Sequence, residues 1–311
     1  MVNLSTNLGR LTLKNPVIAA SGTFGYGLEY SPYLDLNQLG GLVVKGLSIK
    51  PHPGNPPPRI IETPGGMLNS IGLQNIGVDA FINEKLPLLR KYDVLTVANI
   101  FGHTVEEYVE VARRLSDAEG IAALEVNISC PNIKAGGMIF GKDPKQAGIL
   151  TKRVRKATHL PLMVKLTPNT SSISEVARSV EDAGADMISL VNTFLGMAID
   201  VETATPLLAT ITGGLSGPAI KPIALRMVWE VAKEVSVPVV GIGGITTAND
   251  ALEFIIAGAR AVQVGTANFV NTRACIEIIQ GIENYLQAKN IEKIDHLVGS
   301  LKVPSHEKTS H

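Results

Sequence analysis

The sequence predicts a (β/α)8 barrel, and three observations carry that prediction. Eight short apolar runs rich in β-branched residues recur along the chain. Amphipathic stretches of helical period lie between most of them. Polar residues or glycines stand at nearly every run's end. Strands that are apolar at consecutive positions are buried on both faces, which marks a parallel sheet covered by helices. Eight such units favour a closed barrel over an open sheet.

The strand runs are residues 16–20, 41–47, 94–100, 122–129, 162–166, 187–192, 237–242 and 261–265. The helical stretches are 105–115, 144–157, 173–183, 222–235, 248–257 and 275–286. A doubly wound sheet is the rival architecture, and it would place a glycine fingerprint after the first strand. SGTFGYG follows the first run here, but no helix opens on it and no acidic ribose partner follows at the expected distance. Two segments, 52–77 and 194–218, are too long for ordinary connectors and are expected to form hairpins or lids over the carboxyl end of the barrel. Residues 302–311 read as a polar, frayed tail. No linker or short repeat divides the chain, so residues 1–311 are expected to form one domain.

Composition narrows the function. The chain has 311 residues, 45% hydrophobic and 18% charged, enough for a sizeable core. Lys+Arg and Asp+Glu balance at 28 each, so no basic field exists to hold nucleic acid or anionic lipid. No stretch reaches the roughly 18 uninterrupted apolar residues of a membrane span, and the N-terminus lacks a signal core. The two cysteines, Cys130 and Cys275, make no disulfide framework, and the six histidines show no metal-ligand spacing. A metal-free cytoplasmic enzyme is the expectation.

Active sites of such barrels lie at the carboxyl ends of the strands. The candidates there are Ser21, Lys45, Asn99, Asn127 with Cys130, Lys165, Asn192 with Thr193, Gly243 with Gly244, and Gly265 with Thr266. GIGGITT and QVGTAN put small residues at the last two exits. There a phosphate can approach backbone N–H groups and a helix N-terminus. Lys45 and Lys165 each end an apolar run, and a buried lysine needs an anionic or carbonyl partner. As a pair at one mouth they point to an electron-rich cofactor or a carboxylated substrate. In NISCPN, residues 127–132, Cys130 lies past a strand end, beside two asparagines and a glycine-rich loop able to close as a lid. Cys275 falls inside an amphipathic helix and reads as core. Asn69 and Asn75, in NSIGLQN, either read a planar ring through their amides or staple their own loop.

GNPPPR, ETPGGMLNSIGLQN, VANIFG, NISCPN, GGMIFGKDP, VKLTPN, SLVNT, GGLSGPAIKP and GIGGI, in this order from about Ser21 to Thr266, resemble the class 1 dihydroorotate dehydrogenases. The resemblance implies oxidation of dihydroorotate to orotate in pyrimidine synthesis, with FMN accepting a hydride from carbon 6 and Cys130 taking a proton from carbon 5. Membrane-linked class 2 relatives carry serine at that position. The resemblance maps FMN contacts onto Ser21, Lys45, Gly46, Asn99, Asn127, Lys165, Val191, Gly217, Gly243, Gly244, Gly265 and Thr266. It maps substrate contacts onto Lys45, Asn69, Ser70, Ile71, Gly72, Leu73, Asn127, Asn192 and Thr193.

ETPGGMLNSIGLQN, KAGGMIFGKDP and NTFLGMAIDVETATP look like class 1B, whose catalytic subunits form a homodimer core within a heterotetramer of two plus two. There a second subunit carries FAD and a 2Fe–2S cluster and passes electrons to NAD. This chain has no cysteine set for a cluster, so such a partner would supply both groups. The alternatives are a fumarate-reducing class 1A homodimer, a dihydropyrimidine-type FMN dehydrogenase, and a barrel that binds phosphate without catalysis.

Overall fold

The computed structural model describes residues 2–129 and 140–304. Eight parallel strands close into a barrel in chain order: β1 Val17–Ala19, β2 Gly41–Leu47, β3 Thr96–Ile100, β4 Ala123–Asn127, β5 Leu162–Lys165, β6 Met187–Leu190, β7 Val239–Ile242 and β8 Ala261–Val264. β8 pairs back onto β1 through Val262–Val17, Gln263–Ile18 and Val264–Ala19. Each strand lies within an expected run: β2 fills its run, β3 and β7 start two residues late, and the others lose one to two residues at one or both ends.

Helices α1 Val105–Ser116, α2 Pro144–Arg155, α3 Ile173–Asp182, α4 Lys221–Glu234, α5 Ala248–Ile256 and α6 Ala274–Ala288 lie around the barrel. Four of them start on a side-chain cap: Thr104 for α1, Asp143 for α2, Ser172 for α3 and Thr247 for α5. Each cap satisfies an orphan N–H and is worth about 1 kcal/mol. Between β2 and β3 lies a helical segment, 78–89, that the pattern did not announce. It has a wider turn over Phe81–Lys85, and Pro87 sits at the start of its last turn.

Alternation inside the strands sorts the interior by height. Ile18, Val43, Val97, Ala123, Met163, Met187, Val240 and Ala261 form an apolar floor. Leu8 and Leu13 join it from an N-terminal hairpin, Thr6–Leu8 with Leu11–Leu13, that closes the bottom of the barrel. One residue pair further along the strands the lining turns polar: Asn99 faces Glu125 across the β3–β4 ladder, and Lys165 faces Ser189 across β5–β6. The mouth is therefore the polar end.

The two long insertions merge into a single structure. Ile60–Thr63 and Gly66–Asn69 from the first join Phe194–Met197 and Thr212–Ser216 from the second in one four-stranded antiparallel sheet. The join is tight. A Cβ on Gly66 would lie 1.9 Å from the Ser216 carbonyl oxygen, and one on Gly214 would lie 2.1 Å from Thr193 Oγ1. Of the expected tail, residues 302–304 are exposed and irregular, and 305–311 lie outside the described residues.

Candidate active site

Five of the eight strands, β3 to β6 and β8, build a polar cluster just above the apolar floor. Glu125 is fully buried at 0% exposure and stands at its centre. Asn99 Nδ2 donates to its Oε1 at 2.7 Å, and Lys165 Nζ lies 3.8 Å from the same oxygen. Ser189 Oγ and Gln263 Nε2 donate to its Oε2 at 3.0 and 2.6 Å. A buried carboxylate is tolerated only when paired and hydrogen-bonded, and this one is both. The sequence reading missed Glu125 because it sits inside the run ALEVN. Asn99 and Lys165, which it did single out, both meet Glu125 here.

Toward the mouth the amides interlock. Asn127 Oδ1 accepts from Ser129 N at 3.1 Å and from Asn192 Nδ2 at 3.3 Å, and Asn192 Oδ1 accepts from Thr193 N at 2.8 Å. The Tyr108 hydroxyl donates to the Asn127 carbonyl at 2.7 Å. These bonds fix which amide end each residue has left. The Asn127 NH2 group donates to no acceptor among the described residues, which leaves it able to serve a ligand. Val191 is tied to β7 by its N–H, which donates to the Ile242 carbonyl at 2.9 Å.

At the β2 exit, Lys45 is half-buried with no carboxylate at ion-pair distance among the described residues. Burial lowers its ammonium below the ordinary lysine range, and the nearby Arg59 guanidinium lowers it further, partly offset by Glu29. Arg59 was not singled out in sequence. Its Nη2 donates to Gln74 Oε1 at 2.6 Å and its Nη1 to the Asn55 carbonyl at 3.3 Å, and its charge acts on Lys45. Two half-buried cations near one another favour an anionic ligand. Gly46 is required by its neighbours, since a Cβ there would lie 2.9 Å from Asn99 Oδ1. Ser21 Oγ donates to the Val44 carbonyl at 3.0 Å, at the same exit.

The segment Asn69 to Leu73 runs off the insertion sheet toward this cluster. Asn69 Nδ2 donates to the Gly214 carbonyl at 3.3 Å, and Ser70 N donates to the Arg59 carbonyl at 2.8 Å. Ser70 Oγ is buried without a partner among the described residues. The Ile71 carbonyl accepts from Asn55 N at 3.0 Å. Gly72 and Leu73 both take positive φ, 73° and 59°, an unusual conformation for leucine. Asn75 serves the structure. Its side chain bonds Ser48, Leu73 and Gly77, so it staples the loop rather than facing a ligand.

At the last exits the backbone leaves donors open. The N–H groups of Gly217, Gly243, Gly244, Gly265 and Thr266 donate to no acceptor among the described residues, and Gly217 and Gly243 are buried. Buried orphan N–H groups are rare in native proteins. Gly217 and Gly244 also touch: a Cβ on Gly244 would lie 2.8 Å from the Gly217 carbonyl oxygen and from Lys221 N. Thr266 Oγ1 donates to Ser216 Oγ at 2.8 Å, joining the β8 exit to the insertion sheet. Behind the cradle, Asp250 accepts from Thr246 N and Thr247 N, both at 2.9 Å, and from Lys221 Nζ at 2.7 Å. Although burial opposes the charge, Lys221 and these donors hold the Asp250 carboxyl well below the usual carboxylate range.

Cys130 lies outside the described residues. Cys275 is core, as expected from its helix. Its thiol donates to Asn268 Oδ1 at 3.4 Å, and burial pushes it up to about 12. The donor set therefore suits a phosphorylated, planar, hydrogen-bonding cofactor above the Glu125 cluster, with an anionic planar substrate between Lys45, the 69–73 segment and the Asn127–Asn192 amides.

A family model described as dihydroorotate dehydrogenase matches residues 3–286. Among curated relatives, a Thermoanaerobacter sp. (strain X514) protein is 57% identical over 302 residues, covering 97% of this chain and all of the relative. Proteins from Trichlorobacter lovleyi and Desulforamulus reducens are each 58% identical over 299 residues, covering 96% of this chain and 98% of their own length. All three are named dihydroorotate dehydrogenase B (NAD(+)), catalytic subunit.

Proposed function

The chain belongs to the dihydroorotate dehydrogenase family, and on that premise we propose that it is the catalytic subunit of an NAD-linked enzyme that oxidises dihydroorotate to orotate. The observation that carries this reading is the convergence of unpartnered backbone donors at the β7 and β8 exits with two lysines and three amides around one barrel mouth. Bound FMN supplies hydride acceptance from carbon 6 of the substrate.

The chain's own residues do the rest. Gly217, Gly243, Gly244, Gly265 and Thr266 hold the FMN phosphate through backbone N–H groups. Ser21, Lys45, Gly46, Asn99, Asn127, Lys165 and Val191 line the ring site. The lysines favour extra negative charge there. Asn69, Ser70, Ile71, Gly72, Leu73, Asn127, Asn192 and Thr193 hold the pyrimidine ring flat, and Lys45 offers its cation to the substrate carboxylate. Cys130 takes the proton from carbon 5, general-base chemistry that a thiolate performs. One FMN-binding domain suffices for this half of the reaction.

Electrons then leave through a partner subunit that carries FAD and a 2Fe–2S cluster, in a cytoplasmic assembly of two plus two around a homodimer core. The names of the relatives support a separate partner. Among the described residues no helix is long and apolar enough to cross a membrane. Exposed Leu195, Met197, Ile199 and Val201 on the insertion sheet and its following loop support docking of another protein on that side.

Steady-state assays with dihydroorotate and dihydrouracil test the substrate. Preference for dihydrouracil would overturn the reading in favour of a dihydropyrimidine-type enzyme. Co-purification with an iron–sulfur flavoprotein that confers NAD reduction is the expected result for the acceptor, whereas fumarate reduction by the chain alone would place it with class 1A. A purified chain with no flavin spectrum would mark a barrel without catalysis.

A further inference from the structure

We propose that Glu125 is a positioning residue that sets the charge and the hydrogen-bond polarity of the barrel mouth, acting through Lys165 and Asn99. The inference rests on the FMN-dependent reading above. Its geometry stands on its own. Glu125 is wholly buried, and its two oxygens are met from four other strands: β3 by Asn99, β5 by Lys165, β6 by Ser189 and β8 by Gln263.

An ionised carboxylate only accepts. Asn99 therefore has to turn its NH2 toward Glu125, which leaves Asn99 Oδ1 directed at the β2 exit, 2.9 Å from where a Cβ on Gly46 would lie. No donor among the described residues takes that oxygen, so a ligand N–H can. The same logic turns the Gln263 amide, whose Oε1 is left buried without a partner among the described residues. An orphaned acceptor is a cost that a structure bears for a reason. Here the reason is that Glu125 takes the donor end of both amides.

Glu125 also sets the local charge. Lys165 is buried, and Glu125 is the carboxylate at ion-pair distance from it. Lys45 has no such partner among the described residues. Glu125 thus cancels one of the two lysine charges and leaves the other for ligands. Neutralising Glu125 adds one positive charge to the mouth, which favours the more negative, reduced form of a bound flavin. At the effective dielectric of partly buried sites, one charge several ångströms away is worth about an order of magnitude in that preference.

The test measures the midpoint potential of bound FMN at pH 6.5 in the wild-type protein and in E125Q, E125D and L150A. In E125Q the ratio of reduced to oxidised affinity should rise about tenfold, ~30 mV for a two-electron couple. E125D keeps the charge but withdraws it by one methylene, so it should shift by less and in the same direction. L150A, a cavity variant in the helical shell, controls for lost stability. It should lower the Tm and leave the potential alone. Where E125Q does not fold, E125D alone decides. A potential unchanged from wild type in the folded Glu125 variants, or a shift equally large in L150A, overturns the proposal. A wild-type protein that binds no FMN would instead overturn the functional reading.

Discussion

Replacing Gly244 with alanine is the sharpest perturbation of the phosphate cradle. Its φ is +71°, a region that costs an L-residue about 1–2 kcal/mol. The new Cβ would also lie 2.8 Å from two backbone atoms, the Gly217 carbonyl oxygen and Lys221 N, so the loop has to shift. That shift misplaces the Gly243 and Gly244 N–H groups. Hydrogen bonds to a charged group contribute about 1.5–3 kcal/mol each, so losing one or two weakens FMN binding by about 10- to 10⁴-fold. Gly265→Ala is the contrast. Its Cβ would meet Ala20 and Thr23 at 3.7–3.8 Å, ordinary contact, and the backbone there is not left-handed. The G265A protein should melt like wild type without flavin, so any loss of affinity reports the ligand itself. The assay is flavin fluorescence titration of the apo-protein beside thermal melts with and without FMN. A G244A protein that binds FMN within threefold of wild type would refute the cradle.

Cys130→Ala should retain FMN and slow turnover by about 10²–10⁴-fold, the worth of a general base. Cys275→Ala should leave turnover unchanged, and equal losses in both would undo the distinction. Lys45→Met should weaken dihydroorotate binding yet stabilise the apo-protein. Lys45 has a folded pKa lowered by burial, so the unfolded chain binds more protons below the ordinary lysine value, and apo stability should rise as pH climbs toward it in wild type but not in K45M. Denaturant melts between pH 7 and 10 check this, with a flat wild-type profile as the contrary result. Asp250→Ala removes an acceptor for two loop N–H groups and Lys221, and should cost about 2–4 kcal/mol. Because the folded carboxyl titrates below its unfolded value, that stability is present above about pH 4 and fades as pH falls. Melts at pH 7 and 3 should show the gap between wild type and variant narrowing at pH 3 without closing, because the folded carboxyl titrates lower still.

The barrel was legible because its strands are buried on both faces and read as continuous apolar runs. The mouth was legible because Lys45, Asn99, Lys165 and Asn192 interrupt or end those runs. Glu125 interrupts one too. The rule that singled out the lysines, that a buried charge needs partners, would have found it. The segment 78–89 escaped because Pro87 and a wider turn break its period. The N-terminal hairpin escaped because three-residue strands are too short to show alternation. Arg59 was hidden in a proline-rich insertion whose pairing partner lies far along the chain. Asn75 illustrates a real ambiguity: an amide that staples and one that recognises look alike until the partners are placed.

The sheet woven from both insertions couples distant parts of the chain in time as well as space. Asn69 leans on Gly214, 145 positions away. A nascent chain can lay down six barrel strands while the segment after Asn69 still lacks the strand it rests on. That support waits until the chain has been made past residue 214 of 311, and contacts of such long sequence separation are slow to form. Because the two insertions share one sheet, the exposed edge around Leu195 and Met197 is joined through two strand ladders to Asn69, where the proposed substrate segment begins.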